Sequence, residues 1–147
     1  MGLVGLIVAK LSPNIRVYAF DASDIAIQAS RMTAAMNGLT NYQSFNVAVG
    51  AEVKKGVKFF SDGKNKSCLV GEGFNSSNPV PELTVNQIAI DEIFDSQLLG
   101  IEKVKMLKMD IEGFEHPIFE RLFSTRTDIL DRISYLHLEI HDYKEFK

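Results

Sequence analysis

Asp110, Glu112 and Glu115 crowd into one short stretch, Met106-Leu107-Lys108-Met109-Asp110-Ile111-Glu112-Gly113-Phe114-Glu115. Carboxylates so placed could take a proton, bind an ammonium group or gather on a divalent cation. The apolar run ahead of them reads as a buried strand, and the glycine among them as a helix-opening turn. Ligands of open α/β sheets bind just outside the carboxyl ends of strands. Acids concentrated there need a ligand, a metal or hydrogen-bond donors to offset their loss of water.

A second group lies at the start of the chain. Gly2 and Gly5 open an apolar helix, and Asp21 ends the next strand nineteen positions after Gly2. In nucleotide-type folds a glycine-rich turn lets the backbone approach a ligand, and an acid about 20 residues on takes the ribose hydroxyls. A carboxylate suits a vicinal diol because each oxygen can accept one hydroxyl hydrogen. The plainer alternative is a glycine pair that packs a helix and an acid that caps the next one. A third group, His137, Glu139 and His141, shares one strand face by the period of two. His141 lies nearest the carboxyl end and is a candidate for an acceptor site. His137 reads as a partly buried, hydrogen-bonded histidine, and His116 as a surface residue.

Two of these groups admit metals. Asp110, Glu112 and Glu115 could hold Mg²⁺ or Mn²⁺ through oxygen, and His137, Glu139 and His141 could hold zinc. Neither spacing is distinctive, because alternate strand residues lie about 6.6 Å apart. The expectation is no metal, with a divalent-metal-dependent hydrolase as the rival reading.

The elements that must position these residues follow from periodicity. Residues 3–11 read as a buried helix stopped by Ser12-Pro13-Asn14. Val17 to Phe20 form a strand ending at Asp21. Ser23 or Asp24 caps a helix to about Asn37, whose apolar Ile25, Ala29, Met32 and Met36 recur at three- and four-residue steps; Asn37-Gly38 ends it. Further strands are expected at Phe45–Val49, Val57–Phe60, Leu83–Ile88, Val104–Met109 and Ile133–Ile140. Helices are expected at Asp91–Leu99 and Phe114–Phe123, with Pro117 tolerated in the first turns. Gly71 to Pro81 reads as a loop, and residues 51–81 as a loop or hairpin insertion in a single domain, 1–147. Alternation of strands and helices predicts an α/β fold with a mostly parallel, Rossmann-like sheet flanked by helices.

Composition narrows the function. A chain of 147 residues, 46% apolar and 24% charged, can bury one core. A net charge of -3 argues against nucleic acid as a partner. Its single cysteine, Cys68, makes no disulfide framework and fits a reducing, cytoplasmic compartment. The apolar start is too short to span a bilayer and lacks the basic flank of a signal peptide. Leu6 stands where a myristoylation motif wants Ser or Thr. No membrane association is expected.

The order Val17-Tyr-Ala-Phe-Asp21, Asn37-Gly-Leu, Asn46-Val-Ala-Val-Gly50, Ile90-Asp91-Glu92, Leu107-Lys-Met-Asp-Ile-Glu-Gly-Phe-Glu115 and Leu138-Glu-Ile-His141 resembles the FkbM-type methyltransferases. These are S-adenosylmethionine-dependent enzymes of the Rossmann-like class I fold. The family begins with a strand and an Asp-x-Gly-Ala-Asn-x-Gly loop, of which only the last glycine has a counterpart here, as Gly2. The chain is therefore expected to be truncated at its N-terminus, lacking the family's first strand, and to lack the closing hairpin. An inactive truncated domain is the alternative to an active enzyme. A nicotinamide dehydrogenase shares the glycine–acid arrangement but has no use for the Asp-x-Glu-Gly-x-Glu block.

The resemblance implies roles. S-adenosyl-L-methionine is the cofactor, and the acceptor is a hydroxyl on a small molecule or sugar. Asp21 would bind the cofactor ribose, Gly2 would lie near its amino-acid end and Ala48 near the adenine. Asp110 would contact the cofactor ammonium or act as general base. Glu112 is the second candidate base, since neighbouring carboxylates favour a proton on one of them. Glu115 complements the helix dipole, and residues 51–81 would shape the acceptor pocket.

Overall fold

The structure is a computed structural model that describes residues 2–61, 67–69, 82–111 and 114–139, with the backbone alone at 59–61, 67–69 and 82. The chain falls into two compact units, Met1–Ala48 and Val49–Lys147.

The first unit contains α1 (Leu3–Leu11), β1 (Val17–Asp21), α2 (Asp24–Met36) and β2 (Tyr42–Asn46). β1 and β2 run parallel, with Val17 opposite Tyr42 and Asp21 opposite Asn46. The helix between them supplies the crossover that parallel strands require. Leu6, Ala9, Ala34 and Tyr42 form the core, with Val17, Ala19 and Leu39 packed against it. Alternation turns the other side chains away: Phe20 stacks on Phe45 at 5.0 Å between ring centroids, and Tyr18 tilts against Phe45 at 6.5 Å.

Both ends of α2 are written in the sequence. The Ser23 hydroxyl accepts from Ala26 N–H at 3.3 Å. At the other end Leu39 N–H reaches Ala34 O, Gly38 N–H reaches Ala35 O, and Gly38 takes φ 65°. That is a Schellman cap, with Leu39 as its apolar contact on the core. Asn41 closes α1 and the turn after it by donating its amide to Ala9 O, Ser12 O and Ile15 O at 3.1, 3.2 and 2.8 Å.

Three expectations need correction here. Ile25, Met32 and Met36 are exposed, and α2 instead buries Ile27, Ser30 and Ala34. The smaller face lets the helix settle close to the sheet, and its polar group is satisfied there. Ser30 Oγ donates to Ile27 O at 2.8 Å and lies 3.3 Å from Ser44 Oγ, while Arg31 donates to Ser44 O at 2.7 Å. The helix expected to be buried, α1, buries only Leu6 and Ala9 fully; Leu3, Val4, Ile7 and Leu11 are exposed. The strand expected at 45–49 starts earlier and breaks at Val47, whose N–H turns to Asp21 O and Phe45 O.

The second unit carries β4 (Lys54–Ser61), β5 (Ser67–Leu69), β6 (Glu82–Ala89), α3 (Ile90–Asp95), β7 (Val104–Met109), α4 (Glu115–Thr125), α5 (Thr127–Leu130) and β8 (Ile133–Leu138). With β3 (Ala48–Gly50), these make a four-stranded sheet of order β3-β6-β4-β5 and a separate parallel pair, β7-β8. β4 runs antiparallel to both β5 and β6. The fold is thus mixed α/β, with several small sheets among the described residues in place of the single, mostly parallel sheet expected. β4 lies between β5 and β6, so its antiparallel pairing with β6 joins strands that are not consecutive in the chain. Gly71 to Pro81, where a loop was expected, lie outside the described residues.

Buried apolar side chains of this unit come from β6 (Val85, Ala89), α3 (Ile90, Ile93, Phe94), β7 (Met109), α4 (Ile118, Leu122) and α5 (Ile129). α4 buries Glu115, Ile118 and Leu122 at helical spacing. α3 is shorter than expected, ending at Asp95. α5 was not foreseen, because four residues carry too little periodicity to read. His137 was expected to be partly buried. It is exposed, opposite Lys108 on a strand pair that also presents Met106, Tyr135 and Leu136 to solvent.

Candidate active site

β1 runs out at Asp21, and three contacts define that strand end. Asp21 Oδ1 accepts from Ser23 N–H at 2.8 Å. The Asn46 amide, directly across the parallel register, donates to Asp21 O at 3.2 Å and Ala22 O at 3.0 Å. Val47 N–H donates to Asp21 O at 3.1 Å. The carboxylate is half-buried and lies at a carboxyl strand end, where a diol could meet it. It also performs the plainer task of holding the turn into α2.

The opening of α1 is the second part of this unit's site. Gly2 stands at its N-cap, contributes no side chain to the cap, and no acid occupies the first turn. A β-carbon on Gly2 would lie 2.7 Å from Tyr42 Oη. Gly5 does what a packing glycine does: a β-carbon there would press on Val17 Cγ1 at 3.2 Å and Tyr42 Cε2 at 3.3 Å. Ala48, expected near the adenine, is buried at the start of β3.

In the second unit β7 ends at Met109, and Asp110 follows it, exposed, with Oδ2 3.1 Å from Lys108 Nζ. Glu115 is buried at the first turn of α4, and its Oε1 accepts from Ile111 N–H at 2.9 Å. One side chain therefore complements the helix dipole and ties Ile111 to the first turn of α4. Glu112 and His141 lie outside the described residues. Glu139 follows β8 and is exposed.

An ion-pair network ties α3 to α4 and α5. Asp91 is buried and takes Arg121 Nε at 3.2 Å and Nη2 at 2.7 Å, and Arg126 Nη1 at 3.4 Å. Arg126 also pairs with Asp95 at 2.8 and 3.0 Å and with Asp128 at 2.9 Å. The hydrogen bond from Arg121 holds the Asp91 carboxyl below the usual carboxylate range, against the opposing effect of burial. The hydrogen bond from Arg126 lowers Asp95 and Asp128 likewise. Arg132 adds a fork to backbone: Nε donates to Glu102 O at 3.0 Å, Nη2 to Phe94 O at 2.9 Å and to Ile101 O, and the guanidinium lies over the Phe94 ring.

Sequence reasoning missed Asn46 and Tyr42 beside the first unit's candidate residues, and the ion-pair network of the second unit. Asn46 and Asp91 stood inside the resembling motifs, yet nothing in their spacing named partners 25 and 30 residues away. Among the described residues no group of three His, Cys, Asp or Glu side chains is placed to hold a metal ion. No described helix is long and apolar enough to cross a membrane.

The described residues thus form a mixed α/β chain with a carboxylate at the end of β1 and another just beyond β7. The chain belongs to the FkbM methyltransferase domain family, which matches residues 6–147. The match takes in Asp21, Ala48 and Asp110 and begins after Gly2. Searches among curated proteins and among solved structures give no match.

Proposed function

We propose that this chain is an S-adenosylmethionine-dependent methyltransferase acting on a hydroxyl of a small molecule or sugar. The family match supports methyl transfer. One observation carries the cofactor half of the reading: Asp21 sits at the end of β1, its backbone held by Asn46 and its Oδ1 by Ser23 N–H. A carboxylate fixed in this way loses little freedom on meeting a ribose diol.

The chain's own groups suit the cofactor's parts. Asp21 would take the ribose hydroxyls, the bare N-cap at Gly2 admits the amino-acid end, and Ala48 leaves a small apolar wall for the adenine. Asp110 would take the cofactor ammonium or the acceptor proton. When bound, the cofactor supplies a methyl group already activated on a sulfonium. The protein's task is then mainly orientation, which can contribute about 7–11 kcal/mol, whereas a general base contributes about 10²–10⁴-fold. Glu115 serves this by holding the loop that carries Asp110.

Calorimetric titration of the 147-residue chain with S-adenosylmethionine, beside Asp21→Ala, tests the reading. Saturable binding that Asp21→Ala weakens is the expected result. Binding that Asp21→Ala leaves unchanged would remove Asp21 from the cofactor site. Methyl transfer should survive a chelator; loss of activity with a chelator would favour the metal-dependent alternative.

A further inference from the structure

The outer side of α2 is apolar where a surface helix is ordinarily polar. Ile25, Met32 and Met36 are 77, 65 and 85% exposed, and Ala29 among them is exposed as well. The face the helix buries, Ile27, Ser30 and Ala34, lies on the opposite side of its cylinder. Steps of four, three and four residues separate 25, 29, 32 and 36, the spacing of a seam between two paired helices. Ala26, Gln28, Thr33 and Ala35 flank the seam. None of them is charged, so covering the seam strips no ion of its water.

α1 extends this surface. Its Leu6 and Ala9 share a core with Ala34 of α2, and Lys10 Nζ donates to Asn37 O at the close of α2 at 3.3 Å. Away from that core α1 exposes Leu3, Val4, Ile7 and Leu11. Seven large apolar side chains exposed by about half or more present an area on the order of 800 Å², the share each partner gives to a standard interface. That exceeds the roughly 300–600 Å² of the largest apolar patch on a typical monomer.

The seam is complementary to itself. Lay two copies of α2 antiparallel across a two-fold axis midway between Ala29 and Met32. Ala29 then faces the partner's Met32, and Ile25 faces the partner's Met36. A flexible methionine fills the space that alanine leaves. The same register sets Asp24 against the partner's Asn37, whose carbonyl carries Lys10 within each copy. Asp24 is exposed at the opening of α2 and Lys10 is exposed beside its close. Each copy thus offers an acid where the other offers a base, once at either end of the seam. Antiparallel pairing also opposes the two helix dipoles.

We propose that this face is a homodimer interface, in which α2 pairs antiparallel with the α2 of a second copy of this chain. The proposal stands apart from the methyltransferase reading.

Sedimentation velocity over a dilution series of the 147-residue chain tests it. Wild type should be dimeric when concentrated and dissociate on dilution. Met32→Glu should weaken the dimer by about tenfold or more, since it buries a charge beside the axis. Diluted to the monomer it should melt with wild type, because Met32 faces solvent there. Asp24→Lys and Lys10→Glu should each weaken the dimer, and the two together should restore it. This exchange leaves the seam untouched and decides the matter if Met32→Glu does not fold. A wild type that stays monomeric at every concentration, or a dimer that Met32→Glu leaves intact, would overturn the interface. So would a monomer that instead binds phosphatidylcholine vesicles through this face. A double variant no stronger than the single ones would overturn the antiparallel register.

Discussion

Asn46 stands opposite Asp21 in the parallel register of β1 and β2, and its amide donates to the carbonyls of Asp21 and Ala22 at 3.2 and 3.0 Å. The residue that orients the strand-end acid is therefore on the neighbouring strand. Asn46→Ala should weaken S-adenosylmethionine binding with little effect on the fold, because Asn46 is exposed. Asp21→Ala should lower affinity by about 10–100-fold, the range for hydrogen bonds to a charged group. Calorimetry on the two variants separates direct contact from positioning: Asn46→Ala should fall between wild type and Asp21→Ala.

Glu115 is 3% exposed and accepts from Ile111 N–H. Glu115→Ala leaves that N–H without its acceptor and opens a small void. A loss of about 1–3 kcal/mol in denaturant unfolding is expected. Methyl transfer should drop further than stability does, because the loop after β7 carries Asp110. Equal activity per folded molecule in the variant would separate the loop from catalysis.

The Asp91 network makes stability depend on acid. Hydrogen bonding by Arg121 places the folded-state value of Asp91 below its unfolded value. Its contribution is therefore complete above the usual carboxylate range of about pH 4 and fades as pH falls through the folded-state value. Asp91→Asn should flatten the acid limb of a stability profile and leave the neutral limb parallel. At pH 7 Asp91→Ala should cost about 2 kcal/mol, less than a fully buried pair would, because Arg121 is partly exposed and screened.

Arg132 spans the carbonyls of Phe94, Ile101 and Glu102 and lies over the Phe94 ring. Arg132→Lys keeps the charge and loses the planar fork, so it should lower the melting midpoint by several degrees. A midpoint within a degree of wild type would show that charge alone suffices.

Gly38 closes α2 at φ 65° with open space where a side chain would go. Gly38→Ala should then cost about 1 kcal/mol from backbone strain alone. Gly38→Asn should cost less. Thermal melts of the two variants check the order.

Much of this was legible from residues close together in the chain. Ser23 and Gly38 announced both ends of α2, since a cap acts on N–H and carbonyl groups within a few residues of itself. The apolar run from Val17 ended at Asp21 as read, β7 ended at Met109 as read, and α1 took its expected bounds. The strand-end acids that mark a candidate site were visible for the same reason.

What the sequence by itself determined, then, was the placement of turns, caps and strand ends, where each signal is a matter of neighbours. Tertiary structure decided the rest. α2 had two possible faces, and the small residues Ser30 and Ala34 won over the methionines because close packing on the sheet outweighs side-chain hydrophobicity counted residue by residue. β4 and β6 chose antiparallel partners across a long separation, which no local period encodes. Asp91 found Arg121, Asn46 found Asp21 and the Tyr42 hydroxyl came to rest at Gly2 only because packing brought them together. Most polar groups taken out of water are satisfied by whatever the fold places beside them.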